Sequence, residues 1–238
     1  MTILGMGTFG SNTVIVADCV VGHVQDNGQM DYSYRIDKID LYAKAGMAVT
    51  ICGDEVVTNA FEFLVLWAEA KQIPWNCYSS FFRDALVECA NRLRSVWSSK
   101  GDPLTLSDTN VYMCSASGVR SWHLRVTNNQ AYSCSNHIPI YQTPGDLIVD
   151  CGGNVIHRTK FVINNFTNIA EEVFQEMSSI WNGQNSIPYT LPSNFSAIEF
   201  DNIGSVRRIT CHNNLTDLVY SLTNLPKLPQ SWSPNRLA

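Results

Sequence analysis

The sequence predicts an α+β fold, a four-layer αββα sandwich in which two β-sheets are covered by layers of helices. The first observation is the hydrophobic periodicity of the 238 residues, which indicates strands, two helices, strands, two helices and strands in that order. Composition is the second, since 45% hydrophobic residues suffice for one large core. We expect a single domain over residues 1–224 and a proline-rich tail over residues 225–238.

Four strand signals precede the first expected helix. Ile3–Gly7 is an apolar, strand-like start, and the run Asn12–Val21 is rich in β-formers. The polar stretch Gln25–Gln29 is typical of a hairpin tip. Tyr34–Ala43 and Ala45–Asp54 predict two more strands, the second of which reaches Gly53.

Beyond Gly53, apolar residues recur every three to four positions, the spacing of amphipathic helices. A first helix is expected over about seventeen residues from Val56 to Lys71, and Pro74 stops it. A second is expected from Phe81 to Trp97 and ends before the segment Lys100–Pro103.

The second half predicts strands, one helical layer and closing strands. Gly152 and Gly153 are interpreted as a tight strand-to-helix turn, and Thr167 or Asn168 as the cap of the last helix. A long loop is expected over residues 183–196. The expected strands are 109–116, 120–127, 130–135, 147–149, 197–200 and 206–212, and the expected helices are 155–163 and 169–180.

Composition excludes several classes of protein. The net charge of −5 gives no basic footprint, so we expect no nucleic-acid partner. No apolar run approaches the roughly 18 residues of a membrane span, and the start lacks a secretory signal, so a cytoplasmic protein is expected. The eight cysteines form no C-x-x-C pair, which favours reduced, buried thiols. The five histidines show no metal-ligand spacing, so no metal or cofactor is expected.

Thr2 is the first candidate functional residue. Methionine is normally trimmed before a small residue, and trimming of Met1 would leave Thr2 with a free α-amino group. Such a threonine carries both a nucleophile, its hydroxyl, and a base, its amine. An unperturbed α-amine has a pKa near 7.7–8.0, so it is able to accept a proton close to neutral pH.

Asp18 is an acid inside an apolar strand signal, which costs free energy unless the carboxylate is paired. Two interpretations are open: an acid near a turn or sheet edge, or an orienting charge with a cationic partner. Lys38, twenty residues further on, is the candidate partner.

This order of residues resembles the proteasome β-subunit and HslV family of N-terminal nucleophile hydrolases. The matching features are Thr2, Asp18 in the setting Val16-Ala17-Asp18, Lys38-Ile39, and Gly53 before a helix. Ile148–Asn154 is similar to the family's glycine turn. The chain departs from the family at four positions, which are Val20, Gly22, Asp150 and Cys151.

The resemblance implies roles for the matched residues. Thr2 is then the nucleophile, Asp18 orients Lys38, and Lys38 lowers the pKa of the Thr2 amine. The N–H of Gly53 is the expected oxyanion donor, helped by the helix dipole. For Cys151 two interpretations stay open: a replacement for a hydroxyl that relays protons, or a small core residue.

The resemblance further implies a threonine-type peptidase that assembles as a homo-oligomer of stacked rings. Unfolded polypeptides or peptides are the implied substrates, and an ATP-dependent unfoldase is a possible partner. The first helix is expected to present an exposed apolar face between rings, formed by Phe61, Leu64 and Trp67. Two alternatives are a catalytically impaired structural ring subunit and an amidohydrolase acting on small amides. The implied substrate-binding positions are Val21, Gly22, Ile36, Ile51 and Glu55.

Overall fold

A computed structural model describes residues 2–72, 80–98, 107–127, 131–134, 144–183 and 194–210. The protein combines β-sheets with three helices in these ranges, which confirms the α+β class. The helices are α1 (Glu55–Ala70), α2 (Ser80–Ser98) and α3 (Ile169–Asn182). The strands are β1 (Ile3–Phe9), β2 (Asn12–Asp18), β3 (Val20–Val24), β4 (Met30–Arg35), β5 (Asp40–Tyr42), β6 (Met47–Cys52), β7 (Thr109–Ser115), β8 (Gly118–Thr127), β9 (Ala131–Cys134), β10 (Leu147–Cys151), β11 (Asn154–Arg158), β12 (Phe195–Phe200) and β13 (Val206–Ile209).

The chain clusters into two compact units. Described residues within Met1–Thr50, Tyr112–Val119 and Tyr141–Val219 belong to the first unit. Those within Ile51–Val111 and Arg120–Ile140 belong to the second. The prediction of one domain over residues 1–224 is not tested by this division and stays a prediction.

The first unit is built on a six-stranded antiparallel sheet of order β11-β10-β1-β2-β12-β13. Strand β1 lies between β10 and β2, so the start of the chain is held on both sides. Helix α3 packs its apolar side against this sheet, with Val173, Met177 and Trp181 buried in one core cluster with Ile3 and Val16. This burial fixes the register of β1, because a slip by one residue would turn its apolar side chains away from α3.

Helices α1 and α2 lie in the second unit and pack through apolar side chains. The rings of Phe61 and Phe82 meet edge to face at 5.4 Å between centroids. Both predicted helices are confirmed to within one residue at the described ends. The expectation that Phe61, Leu64 and Trp67 form an exposed face is wrong, since these side chains are buried. The exposed apolar residue of α1 is Leu66.

The predicted helix over residues 155–163 is wrong. Residues Asn154–Arg158 form strand β11, which pairs with β10 along its whole length. Gly152 and Gly153 have φ of +64° and +97°, the positive values that a two-residue type I′ hairpin needs at both central positions. The glycine pair is therefore a strand-to-strand turn, and it cannot start the expected helix.

Two other strand predictions were too long. The run Asn12–Val21 is interrupted at Cys19, where the chain leaves β2 and enters β3. The segment Tyr34–Ala43 is also divided, because residues 36–39 between β4 and β5 have no regular structure. Lys38 lies in that break, so strand alternation does not fix the direction of its side chain.

The other described elements agree with the predictions. Helix α3 begins after Asn168, with Glu171 and Glu172 in its first turn, but the predicted cap is wrong because the side chain of Asn168 makes no capping hydrogen bond. The loop 183–196 and the segment 100–103 fall largely outside the described residues, as do the tail 225–238, Gln130, Ser135 and the end of the last strand signal.

The cysteines correct one expectation. Cys19 is disulfide-bonded, so the prediction of reduced thiols throughout is wrong there. Cys52, Cys89, Cys114 and Cys151 are free and buried. None of the helices in the described ranges is long and apolar enough to cross a membrane.

Candidate functional site at the start of strand β1

Asp18 is the centre of the candidate site. Its side chain is fully buried at the end of β2, next to the start of β1. The two carboxylate oxygens accept backbone N–H groups from Ile3 at 2.8 Å and Val20 at 2.9 Å. Ile3 is the first residue of β1 and Asp18 the last of β2, so this hydrogen bond lies where the two strands meet at one end of the sheet.

Lys38 completes the coordination of this carboxylate. Its Nζ atom lies 2.9 Å from each Asp18 oxygen, and the lysine side chain is only 9% exposed. Asp18 is therefore paired with a cation, as the second sequence interpretation expects, and not a lone acid at a sheet edge. A charge pair this far from water is stable only because each charge has its partner, together with further hydrogen bonds.

Thr2 is half-buried and enters the sheet beside these residues. Its carbonyl oxygen accepts the N–H of Gly152 at 3.2 Å, which extends the pairing of β1 with β10 by one residue. The next peptide N–H, that of Ile3, is the one bound by Asp18. Thr2 is thus flanked on one side by the glycine turn and on the other by the Asp18–Lys38 pair.

The glycine turn is shaped by Asp150, a fully buried residue of β10. One carboxylate oxygen accepts the N–H of Gly153 at 2.6 Å. The other accepts the hydroxyl of Tyr112, itself buried, at 2.5 Å. The sequence carries no signal for this pair, because its tyrosine is 38 residues away from Asp150 along the chain.

Cys151 lies in the core. It pairs with Ile3 in the sheet register, and both side chains belong to the apolar cluster under α3. Burial first, and then the charge of Asp150, raise the pKa of the Cys151 thiol to about 11, so the thiol is neutral at physiological pH. Its position fits the second of the two sequence interpretations, a small core residue.

Gly53 belongs to the second unit. It follows β6, and the next residue, Asp54, caps α1 by accepting the N–H of Val56 at 3.0 Å. Its φ of +146° is a backbone conformation that favours glycine. A Cβ atom at this position would contact Thr109 and lie 2.8 Å from the carbonyl oxygen of Asp108. The sequence therefore needs glycine here for steric reasons, whatever its N–H does.

The predicted substrate-binding positions remain predictions. Ile36 and Ile51 are half-buried. Val21 and Gly22 lie in β3 and Glu55 opens α1, but their side chains lie outside the described part of the protein.

The segment that carries Lys38 is held by two further residues that sequence analysis missed. Ser196 of β12 donates its hydroxyl to Asp37, the residue before Lys38. A guanidinium nitrogen of Arg208, in β13, lies 3.5 Å from the other carboxylate oxygen of Asp37. No local sequence signal could have found this contact, because Ser196 and Asp37 are 159 residues apart.

These are the residue types that covalent catalysis by a threonine with a free α-amine would use. The site offers a hydroxyl on Thr2, a lysine held in a fixed position, and a buried carboxylate that neutralises it. Within the described residues, no group of three or more histidine, cysteine, aspartate or glutamate side chains is arranged to hold a metal ion.

Comparisons with known proteins add a distant likeness. No protein-family model and no curated protein matches the sequence. Among solved structures, HslV from Trypanosoma brucei superposes with a TM-score of 0.43 at 12% identity, covering 84% of this chain and 99% of that one. Anbu (ancestral beta-subunit) from Yersinia bercovieri gives a TM-score of 0.45 at 14% identity, covering 96% and 99%. Likeness at this level assigns neither a family nor an activity to this chain.

Proposed function

We propose that this protein is a hydrolase of peptide bonds that uses Thr2, exposed by removal of Met1, as an N-terminal nucleophile. One observation carries the proposal. The buried Asp18 carboxylate binds the Lys38 ammonium and, through the same oxygen, the peptide N–H that directly follows Thr2. The ammonium is therefore held within two hydrogen-bond lengths of the Thr2–Ile3 peptide.

The proposed reaction has two halves. Thr2 Oγ attacks the peptide carbonyl carbon while the Thr2 α-amine takes the hydroxyl proton and passes it to the leaving amine, so that the C–N bond breaks and an ester remains. Water then attacks the ester carbonyl, the bond from that carbon to Thr2 Oγ breaks, the acyl group leaves as a carboxylic acid, and a proton of the water returns to Thr2 Oγ. Lys38 favours the neutral, basic form of the α-amine by its positive charge, and Asp18 keeps Lys38 in place.

A β-lactone probe that reacts with N-terminal threonine tests the proposal. The lactone carbonyl is attacked by Thr2 Oγ, the ring C–O bond opens, and the whole probe remains attached as an ester. We expect the intact mass of the purified protein to lack one methionine and to gain one probe. Peptide mapping should place the adduct on Thr2.

Two threonine variants sharpen this experiment. Thr2→Ala should abolish labelling, because the hydroxyl is gone, whereas Thr2→Ser should retain part of it. Thr8→Ala is the matched control, since Thr8 is a partly buried threonine on the same strand. Labelling of the Thr2→Ala variant, or an unlabelled wild-type chain that lacks Met1, would overturn the proposal. A retained Met1 with no adduct would instead support the structural ring subunit.

Lys38→Ala should lower the labelling rate by two orders of magnitude or more, because a positioned charge at the reacting groups typically contributes on that scale. Lys71→Ala is the control, an exposed lysine just after α1. The labelling rate is measured from the intact mass over time. An unchanged rate in Lys38→Ala would remove Lys38 from the mechanism.

We infer that the finer features implied by the resemblance accompany this chemistry: the four-layer αββα arrangement, the Gly53 oxyanion donor, stacked homo-oligomeric rings, an ATP-dependent unfoldase partner and a cytoplasmic location. Their support is the order and spacing of Thr2, Asp18, Lys38 and Gly53 in the sequence. Light scattering on the purified protein tests the rings. A labelled monomer that hydrolyses small amides would favour the amidohydrolase instead.

A further inference from the structure

Asp150 and Tyr112 form a buried polar pair that the proposed reaction does not yet use. Asp150 is 0% exposed and Tyr112 1% exposed, and the tyrosine hydroxyl lies 2.5 Å from the carboxylate. Burial of a carboxylate costs free energy, so packing alone does not account for a pair of this kind.

The contacts of Asp150 lead to Thr2. The oxygen of Asp150 that does not face Tyr112 accepts the N–H of Gly153, the second residue of the turn. The first residue, Gly152, donates its N–H to the carbonyl oxygen of Thr2. Asp150 therefore fixes the turn whose backbone holds the residue that carries the nucleophile.

The sheet register places Asp150 on the same face as Thr2. Ile3 pairs with Cys151, and Leu4 pairs with Asp150. Side chains alternate along a strand, so Thr2 and Leu4 emerge on the face opposite Ile3. Cys151 lies on the same face as Ile3, in the core under α3, and Asp150 lies on the same face as Leu4. Asp150 is thus the diagonal neighbour of Thr2 across the two strands.

Resting on the proposed function, we infer that Asp150, held by Tyr112, is a positioning residue that fixes Thr2 for attack, and that the adjacent Cys151 is not. The pair acts through the backbone of the Gly152–Gly153 turn and has no part in proton transfer to substrate. A displacement of about 1 Å at a reacting group costs up to a hundredfold in rate, which sets the size of the expected effect.

The test measures the kinetics of β-lactone labelling at Thr2, with the limiting rate and the half-saturating probe concentration fitted separately. Asp150→Asn leaves a single acceptor oxygen, so the Gly153 N–H and the Tyr112 hydroxyl can no longer both donate to this side chain. We expect its limiting rate to fall about ten- to a hundredfold. The half-saturating concentration and the final labelled fraction should not change.

The final labelled fraction separates positioning from damage to the fold. A merely structural role would leave fewer folded molecules, so the labelled fraction would fall while the rate of the remainder stayed at the wild-type value. Tyr112→Phe is the second variant in case Asp150→Asn does not fold, because it deletes only the hydroxyl. It should lower the limiting rate in the same way.

Cys151→Ser is the matched comparison, one residue away and on the opposite face of the sheet. It should label at the wild-type rate even if its melting temperature is lower. Wild-type labelling rates in both Asp150→Asn and Tyr112→Phe, or a rate loss confined to Cys151→Ser, would overturn the inference. A wild-type protein that does not label at Thr2 would overturn the proposed function itself, which is a different result.

Discussion

At the residue scale, Asp18 and Lys38 form a buried ion pair, to which the proposed reaction adds a chemical role. Removing one partner of a buried ion pair leaves the other charge without compensation, which typically costs about 3–5 kcal/mol. Lys38→Met should therefore lower the free energy of unfolding by that amount, because the Asp18 side chain is fully buried and Lys38 is 9% exposed. Urea unfolding measures the change.

The double variant Asp18→Asn with Lys38→Met provides the check on this prediction. Either single change breaks the same pair, so the double variant should lose less free energy than the sum of the two single variants. Losses that simply add would mean that the two side chains do not stabilise each other in the folded protein.

Gly53 gives a second prediction at this scale. Gly53→Ala should destabilise the protein by about 1–3 kcal/mol from backbone strain at a φ of +146°. The new Cβ would also approach the Asp108 carbonyl oxygen, so the total loss should exceed strain alone. Gly118→Ala is the matched control, since Gly118 also has a positive φ, +119°, but no atom lies within 4 Å of a Cβ there. Equal losses of unfolding free energy in the two variants would show that the Asp108 contact does not matter.

At the scale of elements, the start of α3 is held by a carboxylate of its own first turn. Asn168 makes no side-chain cap, and Glu172 accepts the N–H groups of Asn164 at 2.8 Å and Asn165 at 2.5 Å. The hydrogen bond from the Asn164 N–H is the main reason that the pKa of Glu172 is lowered from 4.5. A lowered pKa means that the folded state favours the ionised form.

This carboxylate therefore stabilises the protein above its unfolded pKa near 4.5, and the contribution is lost as the pH falls through the lower folded value. Glu172→Gln should reduce the melting temperature at neutral pH and change it little once the carboxylate is protonated. Glu171→Gln, an exposed residue of the same turn, is the control. A deficit of equal size at both pH values would show that the charge of Glu172 is not what holds the loop.

The elements also show what sequence alone could predict. Helices α1 and α2 followed from their periodicity, since burial of one face leaves a clear spacing. Strand β11 did not, because its residues are mostly exposed and show no alternation, and the pairing with β10 that creates it is a tertiary contact. The pairing of Asp18 with Lys38 was predicted from the sequence, whereas the catalytic roles of Thr2, Asp18 and Lys38 remain predictions from their order and spacing. Asp150 with Tyr112, and Ser196 with Asp37, were missed because each pair joins distant parts of the chain.

At the scale of the whole molecule, burial controls the pKa of free thiols among the described residues. Burial raises the pKa of the thiols of Cys89, Cys114 and Cys151, in the last case to about 11. In the unfolded chain these groups return to an ordinary value near 9.0. The folded state therefore binds protons that the unfolded state has already released at alkaline pH.

The sign of the resulting pH dependence follows directly. A raised folded pKa contributes stability that is complete below the unfolded value and is lost as the pH rises through the folded one. The free energy of unfolding should thus decline between about pH 9 and pH 11, which urea unfolding at stepped pH would measure. Cys151→Ser removes one of the titrating thiols, so its decline should be shallower than that of the wild type over this interval. Parallel curves would mean that the Cys151 thiol titrates equally in the folded and unfolded chain, and that the strand end beside Thr2 is open to water instead of packed beneath α3.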